Sequence, residues 1–132
     1  MKLLGIDYGL KKIGVAISAG KLAEPLRVIK VETPEKTIEK IVRIAGEEGV
    51  DKIIIGMSEG KTAEETKEFG NRLQKKTALP IDYFDETLST QEAQALALES
   101  GMSRKKRKNM EDAFAACIML QNYLDLTPNK SD

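Results

Sequence analysis

The chain has 132 residues, 41% of them apolar, which suits one compact domain around one core. Its 21 basic and 21 acidic side chains cancel, so a surface for a polyanion has to be a local patch and not a property of the whole molecule. Histidine is absent, which excludes Ser-His-Asp, Cys-His and other histidine-based acid–base schemes and leaves carboxylates as metal ligands, suited to Mg²⁺ or Mn²⁺ and not to a Cys/His zinc site.

The first third predicts strands. Lys2 to Tyr8 is apolar and ends in the turn Gly9-Leu10-Lys11-Lys12. Ile13 to Ser18 follows and closes at Ala19-Gly20-Lys21, and Leu22 to Val31 makes a third strand, in which Pro25 points to an exposed edge or a bulge. Turns this short require antiparallel neighbours, so the three strands form a meander. Thr33-Pro34 then starts a helix, with Thr33 as cap and Pro34 as the first helical residue. Ile38, Ile41, Val42 and Ala45 form its apolar stripe, and Gly46 or Gly49 ends it. Asp51 to Gly56 carries three consecutive isoleucines, the mark of a strand covered on both faces as in a parallel sheet. A second helix is expected over Thr62 to Lys76, burying Thr66, Phe69, Gly70 and Leu73, with Glu64, Glu65, Lys67, Glu68 and Arg72 as its solvated face. Pro80 to Asp85 is a further strand. Ser89 to Ser100 reads as a helix opened by a capping box of Ser89 and Glu92 and closed by Gly101. The last helix spans Met110 to Leu126 and stops before Pro128.

This order predicts an α/β fold with a mixed five-stranded sheet, three antiparallel strands then two parallel, flanked by helices, in one domain over residues 1–132. Cys117 stands in the apolar run Ala115-Ala116-Cys117-Ile118 and reads as a small core residue; a single cysteine cannot form an internal disulfide. Leu3-Leu4-Gly5-Ile6 stops at Asp7, unlike a secretory leader, and no apolar stretch approaches the ~20 residues that cross a bilayer, so a cytoplasmic setting is expected.

Three acids stand out. Asp7 ends the first strand, where a charge in an apolar run is expensive to bury unless something pairs with it; Leu3 and Gly5 share its face. Glu86 follows the last strand, and ligands collect at strand ends in open α/β sheets. Asp112 lies in the first turn of the final helix beside Ala113, Ala115 and Ala116, small residues that permit close approach to the sheet. Acids brought together in this way can hold two Mg²⁺ or Mn²⁺ ions about 3.5–4 Å apart around a scissile phosphate. Packed together they repel one another until metal binds. Each also has a purely structural reading: Asp112, with Asn109, as a helix cap, and Asp85 and Glu86 as loop acids ahead of Ser89.

Arg104-Lys105-Lys106-Arg107-Lys108 is the second signal. Five adjacent cations are ordinarily a solvated segment, but here they precede Asp112 at a helix start, where the dipole disfavours positive charge by about 0.3–1 kcal/mol each. An arrangement that costs stability beside the acids points to phosphate contacts, to which Lys11 and Lys12 in the turn after Asp7 can add. Tyr8, Tyr83 and Phe84 are too few, and too readily core residues, to support base-specific reading of single strands.

Taken in order, Gly5-Ile6-Asp7-Tyr8-Gly9-Leu10-Lys11-Lys12-Ile13-Gly14-Val15-Ala16, Ile55-Gly56, Asp85-Glu86-Thr87-Leu88-Ser89-Thr90, Ser103 to Lys108, Asp112-Ala113-Phe114-Ala115-Ala116 and Leu120 to Asp125 resemble the YqgF/RuvX family, Holliday-junction-resolvase-like proteins also described as nucleases for precursor small-subunit (16S) ribosomal RNA. The resemblance covers nearly the whole chain. It implies a ribonuclease H-like fold, metal-dependent phosphodiester cleavage with Mg²⁺ or Mn²⁺, a bacterial cytoplasmic setting, and Asp7, Glu86 and Asp112 as the acidic cluster with Asp85 as a substitute for Glu86. Two departures stand out. Thr87 occupies a position usually held by arginine, which removes a cationic contact, and the loop Met57-Ser58-Glu59-Gly60-Lys61 is shorter than the common version. The alternatives are a resolvase of branched DNA and a non-catalytic nucleic-acid-binding or ribosome-assembly factor on the same fold. The turn after Asp7 also resembles the phosphate loop of the actin and sugar-kinase fold, but that fold needs two such domains and this chain is too short for them.

Overall fold

A computed structural model of the protein describes residues 1–57, 61–85 and 110–126. Strands β1 (Lys2–Asp7), β2 (Lys12–Ala19) and β3 (Ala23–Lys30) form the expected antiparallel meander. Strand β4 (Lys52–Met57) then pairs parallel with β1, and β5 (Ile81–Asp85) parallel with β4. The resulting mixed sheet has the order β3-β2-β1-β4-β5, so Asp7 has β2 on one side and β4 on the other. Both readings of Pro25 hold. β3 is an edge strand, and its register with β2 slips beside Pro25, where Val15 faces Arg27 and Ala16 faces Pro25.

Helices α1 (Pro34–Glu48) and α2 (Lys61–Gln74) cover one face of the sheet. Thr33 caps α1 by accepting the Lys36 backbone N–H at 3.2 Å, and Pro34 occupies the first turn as its fixed φ favours. Of the two glycines expected at its end, Gly49 makes the stop, at φ 66°, where a side chain would be strained. α1 buries Thr37, Ile38, Ile41, Ile44 and Ala45, with Val42 at the margin of the stripe. α2 buries Thr66, Phe69, Gly70 and Leu73, as its periodicity predicts. The Tyr83 hydroxyl lies where a side chain on Gly70 would be. Glu64, Lys67, Glu68 and Arg72 are exposed, but Glu65 departs from the solvated face expected for it: it is half-buried, and its Oε2 is enclosed without a hydrogen-bond partner. Beneath these helices Leu4, Ile6, Ile13, Val15, Ile53 and Ile55 form the larger core, and Tyr8 packs on Phe69 with ring centroids 4.7 Å apart.

Among the described elements, the final helix, α3 (Glu111–Leu126), covers the other face. Strand alternation sorts the residues: Leu3, Ala16 and Ile54 meet Ala116, Met119, Leu120 and Tyr123 of α3 in a second core. Its seat is fixed along its length. A side chain on Gly5 would meet Leu120 Cβ at 3.0 Å, so the helix lies close on β1. Gln121 accepts the Ala23 N–H at 2.9 Å and donates to the Lys21 carbonyl at 2.9 Å, and the Cys117 thiol donates to the Ala23 carbonyl at 3.3 Å. Toward its end, Lys52 Nζ donates to the Tyr123 hydroxyl at 3.0 Å, and that hydroxyl donates to Asp82 at 3.1 Å. The Tyr123 ring also meets Phe84 edge-on at 5.9 Å. The helix expected over Ser89 to Ser100 lies outside the described residues. No described helix is long and apolar enough to cross a membrane.

Candidate active site

Asp7 is the last residue of β1, and its registered partner across the antiparallel ladder is Gly14 of β2. On the other side its registered partner is Gly56 of β4. The acid is therefore flanked by two residues with no side chain, on the face that α3 covers. A Cβ built on Gly14 would fall on the backbone carbonyl of Asp112, and would approach the Ala113 nitrogen at 2.9 Å. The first turn of α3 thus rests on Gly14 itself, immediately beside Asp7. The backbone of Asp112, more than a hundred positions further along the chain, thus comes up against the cross-strand partner of Asp7 because that partner is a glycine.

The other expected site residues divide. Lys12 begins β2, is exposed, and acts on Asp112 through its charge. Lys11 is exposed in the turn, its carbonyl held by the Val31 N–H at 2.9 Å. Asp85 ends β5 in register with Met57, two strands away from β1. Glu86, Thr87 and the basic run Arg104, Lys105, Lys106, Arg107 and Lys108 lie outside the described residues. Among the described residues no group of three or more acidic, histidine or cysteine side chains could hold a metal ion. Gly14 and Gly56 are the residues that sequence reasoning gave no role, although a glycine inside a strand already signals close approach by another backbone.

Burial raises the proton affinity of the half-buried Asp112 carboxyl above the ordinary carboxylate value; the Lys12 charge pulls it down, and neighbouring Glu111 pushes it up again. A carboxylate that desolvation disfavours gains from a nearby cation. The available oxygen donors suit a hard divalent ion such as Mg²⁺ or Mn²⁺. Cys117 is unsuited to that role: its thiol is buried in α3, already donates to Ala23, and burial pushes its pKa up to about 11.

The family model described as "RuvX: Holliday junction resolvase" matches residues 1–126. The chain belongs to the RuvX family. A relative from Halothermothrix orenii is 43% identical over 133 residues, with 95% of each chain covered. One from Agathobacter rectalis is 38% identical over 140 residues, with 98% of each covered. Both carry the name "Putative pre-16S rRNA nuclease". Among solved structures, the Fowlpox virus resolvase in complex with Holliday junction DNA superposes with a TM-score of 0.64 at 12% identity, covering 98% of this chain and 100% of that one. The T. thermophilus RuvC complex with a Holliday junction gives 0.60 at 16% identity, with 96% of each covered. At such identities the likeness speaks for the fold, and the fold is ribonuclease H-like, as the sequence resemblance implies.

Two outcomes test this geometry. Gly14→Ala forces α3 off the sheet or distorts β2, since backbone cannot yield as a flexible side chain would, and should cost about 2–3 kcal/mol in chemical denaturation; a loss under about 0.5 kcal/mol would mean that the Asp112 turn does not rest on this residue. The second concerns pH. A carboxyl that binds its proton more tightly when folded favours folding at low pH, and that contribution is lost as pH rises from the ordinary carboxylate value through the raised folded one. The melting temperature of Asp112→Asn relative to the unsubstituted protein should therefore rise between about pH 3 and about pH 7. A difference that stays constant or falls would contradict a desolvated Asp112.

Proposed function

We propose that residues 1–132 act as one ribonuclease H-like nuclease domain, a divalent-metal-dependent endonuclease that cleaves structured nucleic acid in the maturation of precursor 16S rRNA. The observation that supports this reading is the approach of the Asp112 backbone to Gly14, the cross-strand partner of Asp7. Membership of the RuvX family and the name shared by its relatives support the reaction class and the substrate.

Asp7 and Asp112 would hold the ions, with Glu86 from the segment after β5 as the third ligand and Asp85 as its substitute. When bound, a pair of such cations lowers the pKa of the attacking water and stabilises the leaving oxygen of an in-line displacement. The chain's own contribution is placement. The floor of the site is β1, with helices packed on both faces, and α3 is pinned at Gly5, Ala23 and Asp82, which fixes its first turn beside the end of β1. Lys12 stands on the same side and supplies positive charge for a substrate phosphate. Lys11 and the basic run Arg104 to Lys108 would extend that charge along the sugar–phosphate backbone, giving affinity without sequence preference.

The description of the matching family favours a second substrate, the four-way DNA junction. Cleavage of a precursor 16S rRNA fragment and of a four-way junction, each with Mg²⁺ and with Mn²⁺, separates the two. Metal-dependent cleavage of the RNA, reduced at least about a hundredfold by Asp7→Asn, is the expected result. Cleavage of the junction alone would move the assignment to branched DNA. Salt-sensitive binding with no cleavage in either metal would make the protein a non-catalytic binding factor.

A further inference from the structure

We propose that Lys30 forms, with Lys12, a phosphate-binding pair that guides the backbone of the nucleic-acid substrate across β2 and β3 to the two acids. This inference rests on the nuclease reading and deepens it. Lys30 is the last residue of β3 and the registered partner of Lys12, so the two lysines stand directly opposite each other. The row before them contains Asp7, Gly14 and Val28, in register across three strands. Two residues along a strand return to the same face, roughly 7 Å further on. Lys12 and Lys30 therefore form the next row on the face that carries Asp7 and the first turn of α3. Both are exposed, and neither makes an ion pair among the described residues.

Like charges directly opposite in a sheet repel and destabilise it. A lysine on an edge strand such as β3 discourages pairing with other chains, and that accounts for a cation somewhere on this edge. It does not account for a cation opposite another cation, beside a pair of acids, in a protein whose total charge is zero. A ligand with closely spaced negative charges resolves the conflict, and a sugar–phosphate backbone entering the site from the β3 edge is such a ligand. Lys12 itself lies within electrostatic reach of Asp112, whose proton affinity its charge lowers.

The test is binding of the precursor 16S rRNA fragment and of the four-way junction, measured by fluorescence anisotropy at several salt concentrations in a chelator that prevents cleavage. Lys30→Gln should weaken binding and make the slope of log affinity against log salt shallower by about one. The same variant should melt roughly 1–3 °C higher, because the repulsion across the rung is gone. Lys75→Gln, which removes an exposed lysine just after α2 on the opposite layer, should leave the slope unchanged. Lower stability joined to an unchanged salt slope in Lys30→Gln would overturn the pair while leaving the nuclease reading intact. An equal change in both variants would also overturn it, as a general effect of charge. Failure of the unsubstituted protein to bind either nucleic acid would overturn both the pair and the reading beneath it.

Discussion

The backbone of Asp112 lies against the Cα of Gly14, and most of what is distinctive about this molecule depends on that contact. A helix normally stands off a sheet by the thickness of two side-chain layers. Here β1 and β2 offer glycines at positions 5 and 14, and α3 answers with Ala113, Ala115 and Ala116. The helix can therefore descend until its first turn reaches the level of a strand residue. Asp7 is the cross-strand neighbour of Gly14, so the same descent brings the backbone of Asp112 to the strand residue beside Asp7. An ordinary side chain at position 14 would hold that turn away.

That close seat has to be held in one orientation, and the rest of the α3 face does so. Gln121 ties the helix to the turn before β3, and the Lys52–Tyr123–Asp82 chain ties its far end to the starts of β4 and β5. These polar links join elements remote in sequence, and Tyr123 is nearly buried, so its hydroxyl would be costly without them. The opposite layer has a different task. Its isoleucine-rich strands and the apolar stripes of α1 and α2 supply the main core, which keeps the sheet rigid beneath the site. Although the chain is neutral, Lys12 and Lys30 stand together on the face that carries Asp7 and the first turn of α3.

How much of this was legible beforehand differs by residue. The position of Asp7 at the very end of β1 was legible, and a carboxylate there stands out because a charge in an apolar strand is expensive to bury. The meander, the covered β4 and the buried rows of α1 and α2 followed from turn length and periodicity, which act locally and leave local traces. The task of Gly14 is not legible in its motif, because a glycine carries no chemistry and its meaning lies in what approaches it. Lys30 gives no sign in the sequence for a related reason: only the register of β2 with β3 reveals that it faces Lys12. Glu65 went the other way. Its place among charged neighbours suggested solvent, but it stands at the edge of the buried row, beside Thr66 and near Tyr8, whose phenol it influences. Lys52, Tyr123 and Asp82 meet through tertiary folding alone, and no spacing along the chain announces them.

A shared cation site between the ends of β1 and α3 is the claim on which the functional account stands. Anomalous diffraction from crystals grown with Mn²⁺ addresses it without reference to any substrate. The account predicts a manganese peak bonded to carboxylate oxygens of both Asp7 and Asp112. Manganese bound elsewhere with that pair vacant, or bound to one of the two acids while the other turns away, would contradict it.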